Sequence, residues 1–422
     1  MRSRSTSRVP VAPAAVCLFL ACAATPPGPT SDDWTPPAAG SAPAGSPVAL
    51  HGQLRVATIL PANTDIPVDA GDPVVDAGDP VLDGGEPTVD GDSFGVDSGS
   101  LGIDAAKPAL RRQLVDQYGA PTQLKGASSH WLGWETRPFA ESKKALEYMR
   151  DNWKLSVIRA AMGTDLADGY LSNPAGMKNK VETIIHNAID LGVYVIVDWH
   201  TEKAVDQQEA SVNFFKEMAK KYGAYPNVIW EPYNEPHGYS WAQIKPYHQA
   251  VVDAVRAVDP DNLMVLGTPN WSQYVDEAAL DPVGGTNLLY TLHFYSCTHG
   301  PWLRARGDQA MAAGAALFVT EFGATFSDGG TGGDDYVCED ETNLYFDWMA
   351  RNNLSGAAWK LDQCVDTSCI LNATAGVDGP WTDDRLSKNT GGALYTGTLK
   401  GGVSGTAIRG GHGQFVVNWI RR

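Results

Sequence analysis

The stretch Val193-Tyr194-Val195-Ile196-Val197 limits what this chain can fold into more than any other. A continuous, largely β-branched apolar run suits a strand buried on both faces, and a sheet with helices on both sides supplies that burial. Just before it, Val181, Ile184, Ile185, Ala188 and Ile189 recur at helical spacing. The pairing repeats along the chain. Strand-like runs occur at 124–128, 157–160, 228–230, 263–266, 288–295, 317–319 and 357–359. Between them lie helical stripes: Ala145, Leu146, Met149 and Trp153; Phe214, Phe215 and Met218; Tyr247, Val251, Ala254, Val255 and Val258. Further helices are expected at 302–312, 344–349 and 415–421. About eight alternations predict right-handed crossovers and a closed (β/α)8 TIM barrel, class α/β. An open doubly wound sheet is the alternative, but no glycine-rich phosphate loop follows the first strand.

In such a barrel, reactive side chains sit where the strands end. His130 and Trp134 follow the first run and Arg159 the second. Asp198-Trp199-His200 closes the third, Asn234-Glu235-Pro236 the fourth, His293-Phe294-Tyr295 the sixth, Thr320-Glu321-Phe322-Gly323 the seventh, and Trp359 the eighth. Two carboxylates across one rim fit glycoside hydrolysis, with one protonating the leaving oxygen and the other attacking the anomeric carbon. Glu235 and Glu321 are the catalytic candidates. Arg159 suits holding Glu321 ionised, and Tyr295 suits donating to the same carboxylate. Asn234 is placed to bind a sugar hydroxyl. His130, His200 and His293 suit orienting hydroxyls or tuning the acid. Trp134 and Trp359 offer flat faces for pyranose rings, whereas Trp199 and Trp271 suit packing. Lys360 is expected to turn away from the site.

The formal charge is −17 and uneven. Between Asp32 and Asp104 there are 13 acids and one arginine. No basic stripe is present, so nucleic acid is not an expected partner; a neutral polysaccharide is compatible. Arg2, Arg4 and Arg8 precede an apolar run, giving residues 1–22 the outline of a secretory signal. Within it Phe19-Leu20-Ala21-Cys22 resembles a bacterial lipobox, which would anchor the exported protein through Cys22. Residues 23–106 are rich in Pro, Ala, Gly, Ser and Asp and are expected to be a disordered acidic linker. The repeats at 68–73, 75–80 and 82–87 suit an extended tether better than a calcium site. Residues 107–422 then form the catalytic domain. Cys297, Cys338, Cys364 and Cys369 are candidates for disulfides in three possible pairings, of which Cys364 with Cys369 is the most local.

The stretches 125–130, 158–162, 197–200, 234–236, 244–247, 271–273, 293–295, 298–300 and 320–323 together resemble glycoside hydrolase family 5, the bacterial endo-β-1,4-glucanases. The resemblance runs from about 107 to 422. It implies Glu235 as acid/base, Glu321 as nucleophile, retention of configuration, and no cofactor or metal. A secreted monomer acting on β-glucan is expected. β-Mannanase or mixed-linkage glucanase action is the alternative within the same chemistry, and a non-catalytic polysaccharide-binding protein is the alternative outside it. A metal hydrolase using His130, His200 and His293 lacks the usual ligand spacing. Three departures stand out: Phe322 replaces the usual Trp, Lys360 directly follows Trp359, and a Gly/Thr-rich stretch at about 389–413 is inserted.

Overall fold

The computed structural model describes residues 34–38, 40–59, 111–327, 335–363 and 366–422. Eight parallel strands form the expected barrel. In order they are Lys125–Ser129, Val157–Gly163, Tyr194–His200, Val228–Glu231, Met264–Leu266, Leu288–Thr291, Leu317–Gly323 and Gly356–Leu361. Each pairs with the next, and the eighth pairs with both the seventh and the first, closing the ring. Helices follow most strands. The helix Pro174–Leu191 shows why its bounds fall where they do. Asn173 caps Gly176 N, Pro174 occupies the first turn, and Gly192 ends it at φ 68°, a left-handed conformation that glycine adopts without a Cβ clash.

Strand seven departs from ideal register. It pairs Phe318 with Thr291 but Phe322 with Phe294, and on its other side Val319 with Gly356 but Phe322 with Ala358. It therefore carries one extra residue against both neighbours, a bulge centred on Thr320 and Glu321. The sixth strand, expected as one run, breaks at Leu292-His293 and resumes as Phe294–Tyr295.

The assignment of all of 23–106 to a linker needs correction. Residues 47–51 form a short helix, and Arg55–Ile59 pairs antiparallel with Arg111–Val115. Val48 and Leu54 are buried with Leu124, Val157, Tyr194, Leu263, Leu289 and Ala316. Those partners lie at or near the N-terminal ends of the barrel strands, so this segment plugs the end opposite the rim. Two apolar anchors in a small-residue context were enough, and composition averaged them away. The signal-like segment, Cys22 and the acidic repeats lie outside the described residues.

The inserted stretch also has a structure. Strands Asn389–Leu394, Ile408–Gly410 and Tyr336–Val337 form a small antiparallel sheet. Below it Cys297, Tyr336, Cys338 and Ala407 cluster, and Cys297–Cys338 is a disulfide. Cys369 is disulfide-bonded too; Cys364 lies outside the described residues. Phe322 contacts Phe294, Phe346 and Trp419, so the departure from Trp falls in the helix-facing core and not at the rim.

Candidate active site

Arg159, on strand two, is fully buried and organises the rim. Its Nε donates to Glu231 Oε2 at 2.7 Å, and its two NH groups reach Glu321 Oε2 at 2.8 Å and Asn234 Oδ1 at 2.6 Å. A further N–O contact of 2.9 Å joins it to Asp198. Burial opposes the guanidinium charge, but Asp198, Glu231 and Glu321 outweigh it and hold Arg159 protonated. The three carboxylates come from strands three, four and seven, so one cation ties together half the barrel. Burial pushes Asp198 and Glu231 upward against the pull of Arg159.

Glu321 lies in the bulge of strand seven. Burial works to raise its carboxyl, but His293, Arg159, His200 and the Tyr295 hydroxyl bring it down to about 2. Both histidines are themselves held below 6.5, first by burial. Near neutrality they carry no charge, so Arg159 and Tyr295 keep Glu321 ionised. Tyr295 OH donates to Glu321 Oε1 at 2.6 Å. Gly323 permits this geometry, because a Cβ there would lie 2.6 Å from Tyr295 Cδ1.

Glu235 sits on the loop after strand four. That loop is pinned from three sides: Asn234 N donates to Trp199 O, Ser272 Oγ donates to Asn234 O at 2.7 Å, and Tyr233 OH donates to Glu202 O. The Glu235 carboxyl is raised well above its ordinary value, first by burial and then by the charge of Glu321. Its side chain keeps 18% exposure, so a ligand can reach it. His293 Nδ1 lies 2.8 Å from Glu235 Oε1. Polar atoms of Glu235, His293 and Glu321 all lie within 4.8 Å of one another. This trio suits a metal poorly. Both oxygens of Glu321 are taken by Arg159 and Tyr295, both ring nitrogens of His293 have partners, and the adjacent guanidinium repels a cation.

The remaining expected residues line one side of the rim. His200 Nδ1 lies 2.6 Å from Asp198 Oδ2, and its ring stacks on Trp359, ring centres 5.2 Å apart. His130 Nδ1 bonds Asp362 at 2.7 Å and meets Trp359 edge-on. Trp134 is 61% exposed and stacked on Trp131, which packs edge-on against His200. Ring contacts therefore run from buried Trp359 through His200 and Trp131 out to exposed Trp134. Lys360 bonds Asp366 at 2.7 Å, away from the carboxylates.

Sequence reading missed Glu231, Asp362 and Trp131, and it undervalued Trp271. Asn270, Trp271 and Ser272 all have φ near 56–57°, a conformation that is uncommon for residues other than glycine. It presents Trp271 to a cleft of about 540 Å³ also lined by Glu202, Glu235, Gln273, Tyr295 and Trp302. Trp271 stacks on His237 at 3.7 Å. Three successive left-handed residues have no sequence signature, whereas Trp131-Leu132-Gly133-Trp134 is plain in the sequence and the expectation of a sugar platform covers only Trp134.

The arrangement offers one carboxylic acid that keeps its proton and one that stays ionised, close together on a single rim. Residues 115–364 match the family described as cellulase, glycosyl hydrolase family 5. The chain is 43% identical over 280 residues to an endoglucanase of Clostridium saccharobutylicum, covering 65% of this chain and 61% of that protein. It is 47% identical over 240 residues to endoglucanase Z of Dickeya dadantii, covering 56% of this chain and 55% of that one. The chain thus spans less than two thirds of either relative. Among solved structures, the catalytic domain of a Thermobifida fusca endoglucanase superposes with TM-score 0.63 at 28% identity, covering 74% of this chain and 95% of that one.

Proposed function

The chain belongs to glycosyl hydrolase family 5, and we propose that it is an endo-acting, retaining β-1,4-glucanase with Glu235 as acid/base and Glu321 as nucleophile. The observation that carries this is the opposed protonation of two carboxyls whose polar atoms lie within 4.8 Å. Retaining enzymes place these groups about 5–5.5 Å apart, whereas inverting ones leave room for a water. Glu321 attacks the anomeric carbon while Glu235 gives its proton to the leaving oxygen. Water, deprotonated by Glu235, then releases the sugar. Trp359, His200, His130 and Asn234 hold the sugar at the reacting carbon. The cleft beside Glu235 and Trp271 takes the departing part, because the acid faces it. A solved variant of the Thermobifida fusca enzyme holds cellotetraose, which supports a β-glucan chain as the substrate class.

The signal-like N-terminus supports export, and no helix among the described residues is long and apolar enough to cross a membrane. Anchoring through Cys22 is the finer part of this proposal; Cys22→Ser releases the protein into the medium if it holds. The main test is Glu321→Gln on carboxymethyl-cellulose, read as reducing sugar. Turnover is expected to vanish while oligosaccharide binding persists, and near-normal turnover defeats the assignment. Parallel assays on mixed-linkage glucan, xylan and mannan decide the substrate, with β-mannan as the competing outcome.

A further inference from the structure

Adjacent strand residues normally point to opposite faces. The bulge in strand seven relaxes that alternation, and both Thr320 and Glu321 reach the polar cluster. Glu321 meets Arg159 and Tyr295. Thr320 Oγ1 lies 2.6 Å from Glu231 Oε1, 2.9 Å from His293 Nε2 and 2.5 Å from Thr291 Oγ1. Glu231 is gripped by Arg159 through Nε at 2.7 Å and NH2 at 3.3 Å. Hydrogen bonds therefore run unbroken from an arginine-bound carboxylate, through a hydroxyl and an imidazole, to Glu235.

The polarity of this chain follows from counting hydrogens. The two-pronged guanidinium contact opposes the upward push of burial and makes Glu231 the acceptor, and Thr320 spends its one O–H on it. Its oxygen must then accept from His293, which puts the ring proton on Nε2. A neutral imidazole has one N–H, and burial keeps His293 neutral. Nδ1 is left as a lone pair facing Glu235 Oε1 at 2.8 Å. Only a protonated Glu235 completes that bond. Thr291, whose oxygen accepts from Thr320 N, has its own O–H free to serve as the second donor to Thr320.

We propose that Thr320 is a positioning residue through which Glu231 fixes the His293 tautomer and so holds Glu235 in its acid form. This rests on the acid/base reading of Glu235. The relay acts beside the other charges there. Glu235 also faces Glu321, Glu202 and Asp198, which favour its proton, and Arg159, which opposes it. His293 faces Glu321, Glu231, Asp198 and Arg159, and Tyr295 adjoins both carboxyls. Once Glu235 has given its proton to the leaving oxygen, its carboxylate faces the Nδ1 lone pair. That raises its affinity for the proton it must next take from water.

The test compares Thr320→Val, which removes the hydroxyl, with Thr320→Ser, which keeps it. Thr320→Val is expected to move the alkaline limb of kcat/KM down by about one pH unit, a tenfold loss on that limb. Thr320→Ser is expected to leave the limb in place. A uniform loss at every pH, or an unmoved limb, overturns the relay. If Thr320→Val fails to fold, nitrogen-15 NMR of histidine-labelled wild-type protein decides, with the His293 signals assigned by their loss in His293→Gln. A proton on Nε2 supports the proposal, and a proton on Nδ1 defeats it. The tautomer is read without turnover, so this result is separable from any failure of Glu235→Ala to impair activity, which would strike the acid/base reading itself.

Discussion

Tyr295→Phe removes one hydroxyl and leaves the ring against Gly323. The lost bond is 2.6 Å long and ends on a carboxylate. A hydrogen bond to a charged group contributes about 1.5–3 kcal/mol, which corresponds to roughly one to two pKa units. The phenol stays protonated because burial and the charges of Glu321 and Glu235 push its titration far up, so in the wild type it always donates. Loss of a donor to the ionised form raises the pKa. Glu321, held at about 2, is therefore expected to move to about 3–4. A nucleophilic carboxylate must be ionised, so under the role proposed for Glu321 activity persists above its pKa and falls as pH drops through it. Measured as kcat/KM on soluble β-glucan between pH 3 and 6, the wild type should stay nearly flat and the variant should lose activity towards the acid end. A pH-independent loss with an unmoved acid limb would refute the claim that Tyr295 sets the charge of Glu321.

Glu235→Ala should lose most activity on polysaccharide but recover part of it on aryl glycosides, whose leaving groups need no proton; no recovery would argue against the acid role. Leu54→Ala, at a site 1% exposed in the basal cluster, should cost about 2–5 kcal/mol in denaturant unfolding while leaving turnover at low temperature intact; a change under about 0.5 kcal/mol would mean the segment merely rests on the barrel. Replacing Cys297 and Cys338 by serine opens a link across 41 residues and should lower stability by about 4 kcal/mol by the loop-entropy relation, read from the same unfolding curves. Prolonged chelation should leave turnover unchanged, because both oxygens of Glu321 are already engaged; loss restored by a divalent ion would overturn the expectation that Glu235, His293 and Glu321 hold no metal.

The barrel was legible because its evidence is periodic. Runs such as 193–197 suit a strand covered on both sides, and the motifs fall at strand ends. What escaped was whatever broke a period or hid inside one. Glu231 directly follows Val228-Ile229-Trp230, and an acid there looks like the end of a strand; it is a fully buried partner of Arg159. The bulge at Thr320 and Glu321 leaves no compositional trace, because it is a register difference between strands. The helix expected at 344–349 spans Glu339–Arg351, since its acidic first turn suits the helix dipole but carries no apolar stripe. Val48 and Leu54 were lost among prolines and alanines. The carboxyl pair was visible, but the proton polarity between its members needed coordinates.

The antiparallel pair of Arg55–Ile59 with Arg111–Val115 has a bearing on how this chain can vary. Ile59 and Arg111 face each other across the antiparallel pair, so the chain departs from and returns to one spot at the foot of the barrel. For any flexible loop whose ends are fixed side by side, each doubling of length costs about 0.6 kcal/mol of closure entropy. Glu235 and Glu321 lie at the other mouth, so a change of length between these paired ends leaves the geometry of the two carboxyls untouched.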